Sequence, residues 1–355
     1  MITMTKAPGL IAWELTAGCN LKCIHCRGAS TSSVPEDELT TKEAKHFIDE
    51  ILEFGNPILI LSGGEPLTRP DVFEIARYGT DSGLRVVLAT NGTLLTPEIV
   101  GKLKDSGVQR LSISLDGATA KTHNEFRGLP GAFERTLAGI EVLRKMNLPF
   151  QINTTISKRN LEEVPKTFEL AKSLGAVAYH VFFLVPTGRA LESEEVSPID
   201  YERILNWFYD MQKEAPIQLK ATCAPHYFRI LRQRAKKEGI EVPVKTHGYG
   251  AMTKGCLGGT GFCFLSSTGE VYPCGYLPVL AGNIRKQPFR EIWENAEVFK
   301  KLRNPNELKG KCGSCEYKLV CAGCRARAYA ATGDYLEEEP YCVYRPKKNV
   351  SDQDD

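Results

Sequence analysis

Three cysteines fall within the eight residues CNLKCIHC, as Cys19, Cys23 and Cys26, spaced C-x3-C-x2-C. Thiolates on so short a loop are ligands for a soft metal or an iron–sulfur cluster. A closed structural zinc site needs four ligands in tetrahedral geometry, and no fourth cysteine or suitable histidine follows nearby. His25 lies inside the loop, where its neighbours leave it poorly placed to join the same ion. A [4Fe–4S] cluster also takes four thiolates as a rule. A loop with three either borrows its last ligand or leaves one iron open for chemistry.

A second group of cysteines lies far along the chain. Cys223 stands alone, and Cys256, Cys263, Cys274, Cys312, Cys315, Cys321, Cys324 and Cys342 follow. The N-terminus has no apolar core with a small-residue cleavage site, so it does not read as a signal peptide, and the chain is expected to be cytoplasmic. Clustered C-x2-C spacing in that setting favours metal or redox chemistry over disulfides. Eight thiolates are enough for two four-ligand sites. A structural zinc remains an alternative for one of them, because C-x2-C also suits zinc knuckles. Cys223 is expected to be structural, with a substrate-facing role as the alternative.

The elements that must position these residues alternate. Strand-like runs at 10–15, 58–62, 85–90, 110–115, 150–156 and 178–185 are separated by amphipathic helical stretches that close on glycines suited to helix C-termini. Six βα units mean a parallel sheet with right-handed crossovers, either doubly wound or a partial barrel. In both, the active site lies at the C-terminal ends of the strands. Cys19–Cys26 follow the first strand, GGEP (Gly63–Pro66) the second, TNGT (Thr90–Thr93) the third and LDG (Leu115–Gly117) the fourth. Residues 187–250 read as a helical bridge and 251–345 as a cysteine-rich, turn-rich domain. The polar tail 346–355 is expected to be disordered. A net charge of +2 gives no global field for nucleic acid or acidic lipid. No apolar run reaches the ~18–20 residues of a membrane helix.

The C-x3-C-x2-C loop after a first strand, with GGEP after the second, resembles the radical S-adenosylmethionine superfamily. That resemblance implies an α/β fold, a partial (β/α)6 TIM-like barrel over 1–186, in which Cys19, Cys23 and Cys26 hold a catalytic [4Fe–4S] cluster. The open iron chelates S-adenosyl-L-methionine (SAM), and reductive cleavage gives a 5′-deoxyadenosyl radical. Gly63, Gly64 and Glu65 would contact the methionine ammonium. Ser114 and Asp116, with Asn153 as a weaker candidate, would meet the ribose. Asn91 is expected to shape its turn.

The C-terminal part is similar to the auxiliary-cluster (SPASM-type) domain of radical SAM maturases. By that resemblance Cys256, Cys263, Cys274 and Cys324 would ligate one auxiliary [4Fe–4S] cluster and Cys312, Cys315, Cys321 and Cys342 another, so that one or two are expected. The pair Cys321 and Cys324 is C-x2-C where many relatives have C-x3-C. Auxiliary clusters suit an oxidative reaction, because an electron must leave the substrate radical.

Segments 220–239, 255–276 and 322–342 look similar to the heme-biosynthesis branch of the superfamily. Its decarboxylases turn two propionates of Fe-coproporphyrin III into vinyl groups, giving heme b, with ferredoxin or flavodoxin as electron donor. Didecarboxysiroheme deacetylase and heme d1 maturase share much of the pattern. A peptide or protein maturase is a further alternative, made less favoured by the absence of room before residue 19 for a peptide-recognition domain. A non-catalytic electron carrier would have no need of the open loop or GGEP. Arg229, Arg232, Arg234, Arg325 and Arg327 are candidate partners for the substrate carboxylates, and His180 and His226 for the porphyrin iron.

Overall fold

Six strands of the structure, a computed structural model that describes residues 6–191, 194–240 and 254–346, lie where the apolar runs place them. They are β1 (Leu10–Glu14), β2 (Ile58–Ser62), β3 (Arg85–Thr90), β4 (Leu111–Ser114), β5 (Phe150–Ile156) and β6 (Ala178–Phe183). β7 (Gln218–Thr222) falls inside the segment expected to be a helical bridge and pairs parallel with β6. β8 (Phe262–Leu265), from the cysteine-rich region, pairs parallel with β1 and carries the antiparallel β9 (Glu270–Tyr272) and β10 (Gly282–Asn283). The sheet therefore runs past the expected boundaries at 186 and 250. The expected disordered tail lies outside the described residues from 347 onward.

The order β10-β9-β8-β1-β2-β3-β4-β5-β6-β7 settles the choice between a doubly wound sheet and a barrel. A doubly wound sheet reverses strand order at a switch point. Here β1 to β7 follow one another without reversal, so right-handed crossovers place the helices that connect them on the same face. That face is the core. Ile11, Trp13, Leu59, Leu61, Val86, Leu88, Leu111, Ile113, Ile152 and Val181 are buried there against helix residues such as Phe47, Ile75, Leu103 and Ile140.

The other face is polar and partly open. In-register pairing puts Ser114, Asn153, His180 and Lys220 in one row across β4 to β7. Two of the outer helices start on side-chain caps of known partners. Thr40 forms a capping box with Glu43 on the helix Thr41–Phe54, and Thr119 caps Ala120–Arg127. Two of the glycines that close helices differ. Gly175 takes the left-handed conformation at φ +81°, whereas Gly55 is extended and sits against Ala7.

Candidate active site

The cysteine loop is seated on the backbone that leaves β1. Gly64 N–H donates to Thr16 O at 2.7 Å and Glu65 N–H to Gly18 O at 2.9 Å. A Cβ at Gly63 would lie 2.5 Å from Thr16 O, and one at Gly64 2.2 Å from Gly18 O. The glycines of GGEP are thus needed to let the second rim loop lie flat on the first. The fully buried Glu65 carboxylate then accepts from Thr90 Oγ1 (2.8 Å), Asn91 N–H (2.8 Å) and Leu67 N–H (3.2 Å). Burial raises its pKa to about 7. Asn91 shapes its turn as expected, accepting from Thr93 N–H, and also donates to Asn20 Oδ1 between the first two cysteines. Three rim loops are therefore locked to one another.

Asp116 has partners other than the ribose expected of it. It is fully buried, with Arg127 Nη2 at 2.5 Å, His25 Nε2 at 3.5 Å and a hydrogen bond from Thr155 N–H at 2.7 Å. Arg127 also donates to Cys23 Sγ at 3.7 Å. Asp116 acts here by fixing a guanidinium against a cysteine. His25 turns toward Asp116 and stacks obliquely on Phe126, and burial lowers its pKa to about 4. Ser114 and Asn153 do stand side by side on the inner face, both partly exposed. Asn153 Oδ1 accepts from Gln151, which also meets His180 Nδ1 at 2.9 Å.

Two arginines close the loop from outside, neither of them expected from the sequence. Arg189 donates through Nε to Cys23 O (2.9 Å) and through Nη1 to Ser30 O (2.8 Å), and its N–H to Cys26 O (3.0 Å). Beside it Gly188, at φ +64°, lies so close that a Cβ would fall 2.1 Å from Arg27 O. Arg27 pairs with Glu14 at 2.5 Å, stacks over Phe264 at 4.3 Å and donates to Gly275 O at 3.2 Å. Its position directly after Cys26 was the one available hint.

The thiols are dressed as cluster ligands are. Amides two residues on donate to Sγ at 3.4 Å in three places, Leu21 to Cys19, Tyr276 to Cys274 and Tyr317 to Cys315. Cys312 Sγ accepts from Glu339 N–H and Arg325. Such N–H···S bonds stabilise thiolate charge and tune iron–sulfur potentials. Cys312, Cys315, Cys321 and Cys342 line one cavity together with His226 and Glu339. Among the described residues no three His, Cys, Asp or Glu side chains converge tightly enough for a single metal ion. A zinc with bonds of about 2.3 Å would need that convergence. A four-iron cluster, which spaces its thiolates more widely, fits the donor set.

The expected substrate clamps are committed elsewhere. Arg229 pairs with Glu202 at 2.5 Å, Arg234 with Asp210 at 2.6 Å and Arg327 with Glu195 at 2.7 Å and Glu339 at 3.5 Å. Arg325 holds the carbonyls of Tyr335 and Glu337, and Arg232 that of Phe228. His226 is fully buried beside Glu339. Cys263 is placed in the main core and not among the other cysteines. No helix of the described residues is long and apolar enough to cross a membrane.

Comparison with known proteins agrees with this geometry. Residues 13–171 match the radical SAM superfamily model, and residues 256–324 match the iron–sulfur cluster-binding domain model, SPASM. The chain is 84% identical over 348 residues to the AdoMet-dependent heme synthase of Methanosarcina barkeri, covering 98% of this chain and 100% of that one. It is 54% identical to the AdoMet-dependent heme synthase of Nitratidesulfovibrio vulgaris, over 96% of this chain and 93% of that one. Among solved structures, Streptococcus suis SuiB bound to S-adenosylmethionine superposes with a TM-score of 0.75 at 16% identity, covering 96% of this chain and 78% of that one. At that identity the likeness is one of fold.

Proposed function

Because the chain belongs to the radical S-adenosylmethionine superfamily and carries a SPASM-type iron–sulfur domain, we propose that it oxidatively decarboxylates two propionates of Fe-coproporphyrin III to vinyl groups, forming heme b. The observation that carries this reading is the 84% identity, end to end, to a chain named AdoMet-dependent heme synthase.

Cys19, Cys23 and Cys26 would hold the catalytic cluster, and the C-terminal cysteines the auxiliary ones. Bound there and reduced, the catalytic cluster supplies the electron that splits SAM into methionine and a 5′-deoxyadenosyl radical. The protein's part is positioning. Glu65 and the two glycines present a carboxylate and close-packed backbone to the SAM ammonium, with Ser114 and Asn153 on the inner face for its ribose. On each propionate, one hydrogen atom leaves the carbon attached to the ring. Carbon dioxide and one electron then depart, and the remaining two carbons form the vinyl double bond. The Arg27–Gly275 contact joins the catalytic loop to the auxiliary loop, which suits short-range removal of that electron. Lys220 lies in register with His180 on the inner face, where a cation suits a substrate with four carboxylates.

The test is anaerobic incubation of reconstituted, reduced protein with SAM and Fe-coproporphyrin III. Two successive losses of carbon dioxide plus two hydrogens, with 5′-deoxyadenosine formed, are expected. 5′-Deoxyadenosine with an unchanged porphyrin would retain the radical chemistry and reject the substrate.

A further inference from the structure

We infer that Cys223, and not Cys263, completes the four-cysteine site formed with Cys256, Cys274 and Cys324. This rests on the reading above that the C-terminal cysteines hold iron–sulfur clusters.

The first observation is packing. Cys223, Cys274 and Tyr276 lie against a small buried group made of Val185, Leu277, Cys324 and Ala326, separate from the main core. Cys256 is tied to the same place. Its N–H donates to Cys321 O at 3.2 Å, and a Cβ on the neighbouring Gly255 would fall 2.7 Å from Cβ of Pro225, two residues from Cys223. A Cβ on Gly258 would lie 3.2 Å from Pro273 O and 3.8 Å from Cys256 Sγ, which brings Cys256 beside the residue before Cys274.

The second observation is how Cys223 is held. Its backbone is left-handed, at φ +56°, a conformation unfavourable for a residue with a side chain. Its carbonyl is gripped by Tyr201 OH at 2.7 Å and Arg327 Nη1 at 3.4 Å. Arg327 sits on the helix that begins directly after Cys324, so the strained turn is fixed from the same helix that presents another cysteine. Strain maintained by specific donors is a mark of functional positions.

Cys263 shows the opposite on each point. It lies on β8 opposite Ile11 and belongs to the main core, 1% exposed. The neighbouring β8 residue, Phe264, alternates to the other face and meets Arg27 from the cysteine loop. Strand alternation thus sends Cys263 away from the sites.

The test compares wild type, Cys223→Ala and Cys263→Ala as full-length chains, reconstituted anaerobically. Iron and sulfide per chain are measured, with EPR spectra of the reduced proteins with and without SAM. C223A is expected to lose about four irons, the content of one cubane, while C263A keeps them. Both should retain the signal that responds to SAM, showing that the barrel is folded. If C223A does not fold, Cys223→Ser serves instead. It should alter an auxiliary signal that Cys263→Ser leaves unchanged. Full iron in C223A, or loss of iron in C263A alone, would overturn the inference. A wild-type chain holding only about four irons would remove the premise about auxiliary clusters, a separate and distinguishable result.

Discussion

Arg27 Nη1 donates to the carbonyl oxygen of Gly275 at 3.2 Å, joining the residue after Cys26 to the residue after Cys274. The same guanidinium is held by Glu14 and stacked on Phe264. One side chain from β1's exit loop thereby fixes the spacing between the two cysteine groups. Replacing Arg27 by alanine is expected to uncouple them. 5′-Deoxyadenosine should still form, while vinyl product per 5′-deoxyadenosine falls roughly 10-fold, the effect of about 1.4 kcal/mol. An unchanged product ratio would show that the contact has no part in coupling.

Arg127 and Asp116 form a buried ion pair beneath Cys23, with side chains 9% and 0% exposed. Removing one partner of such a pair leaves an uncompensated charge and costs about 3–5 kcal/mol. Arg127→Leu should lower unfolding stability of the metal-free protein on that scale, measured by denaturant titration. The double variant R127L/D116N should recover part of the loss, and failure to recover would mean the pair is not the source.

Gly188 packs its α-carbon onto the carbonyls of Cys26 and Arg27 at φ +64°. Gly188→Ala should push this segment off the cysteine loop and release the Arg189 contacts. The expected readout is faster removal of loop-bound iron by a chelator, with circular dichroism little changed. Iron release at the wild-type rate would contradict the role given to this segment.

Burial raises the Glu65 pKa from 4.5 to about 7. The folded state then holds this proton more tightly than the unfolded chain. Its contribution to stability is complete below about pH 4.5 and is lost as pH rises through about 7, on the order of 3 kcal/mol. The difference in stability between wild type and Glu65→Gln, measured without SAM, should follow that curve. SAM binding should run the other way, tightening as Glu65 ionises, and E65Q should lose this dependence. A flat difference between pH 5 and 8 would contradict the buried, proton-binding carboxylate.

Much of the barrel could be read from the chain because apolar runs and glycine-ended helices repeat with a βα period. β7 could not, because its QLKAT pattern is short, lies at a sheet edge and carries glutamine and lysine. The three-cysteine loop and GGEP declared themselves by spacing. The Asp116–Arg127 pair could not be read from the sequence, because Arg127 reaches Asp116 from the far end of the following helix. The arginines of the bridge and C-terminal region looked like free cations for the same reason. The carboxylates of Arg229 and Arg327, which are Glu202, Glu195 and Glu339, are remote from them in sequence or reach them only through the fold. Cys263 was expected as a ligand by resemblance alone, and the pairing of β8 with β1 that sets it in the main core could not be read from the sequence.

The most direct test of the proposed reaction uses Fe-coproporphyrin III deuterated at the propionate carbons attached to the ring. The account predicts one deuterium carried into 5′-deoxyadenosine for each vinyl group formed. Vinyl product accompanied by deuterium-free 5′-deoxyadenosine would contradict it.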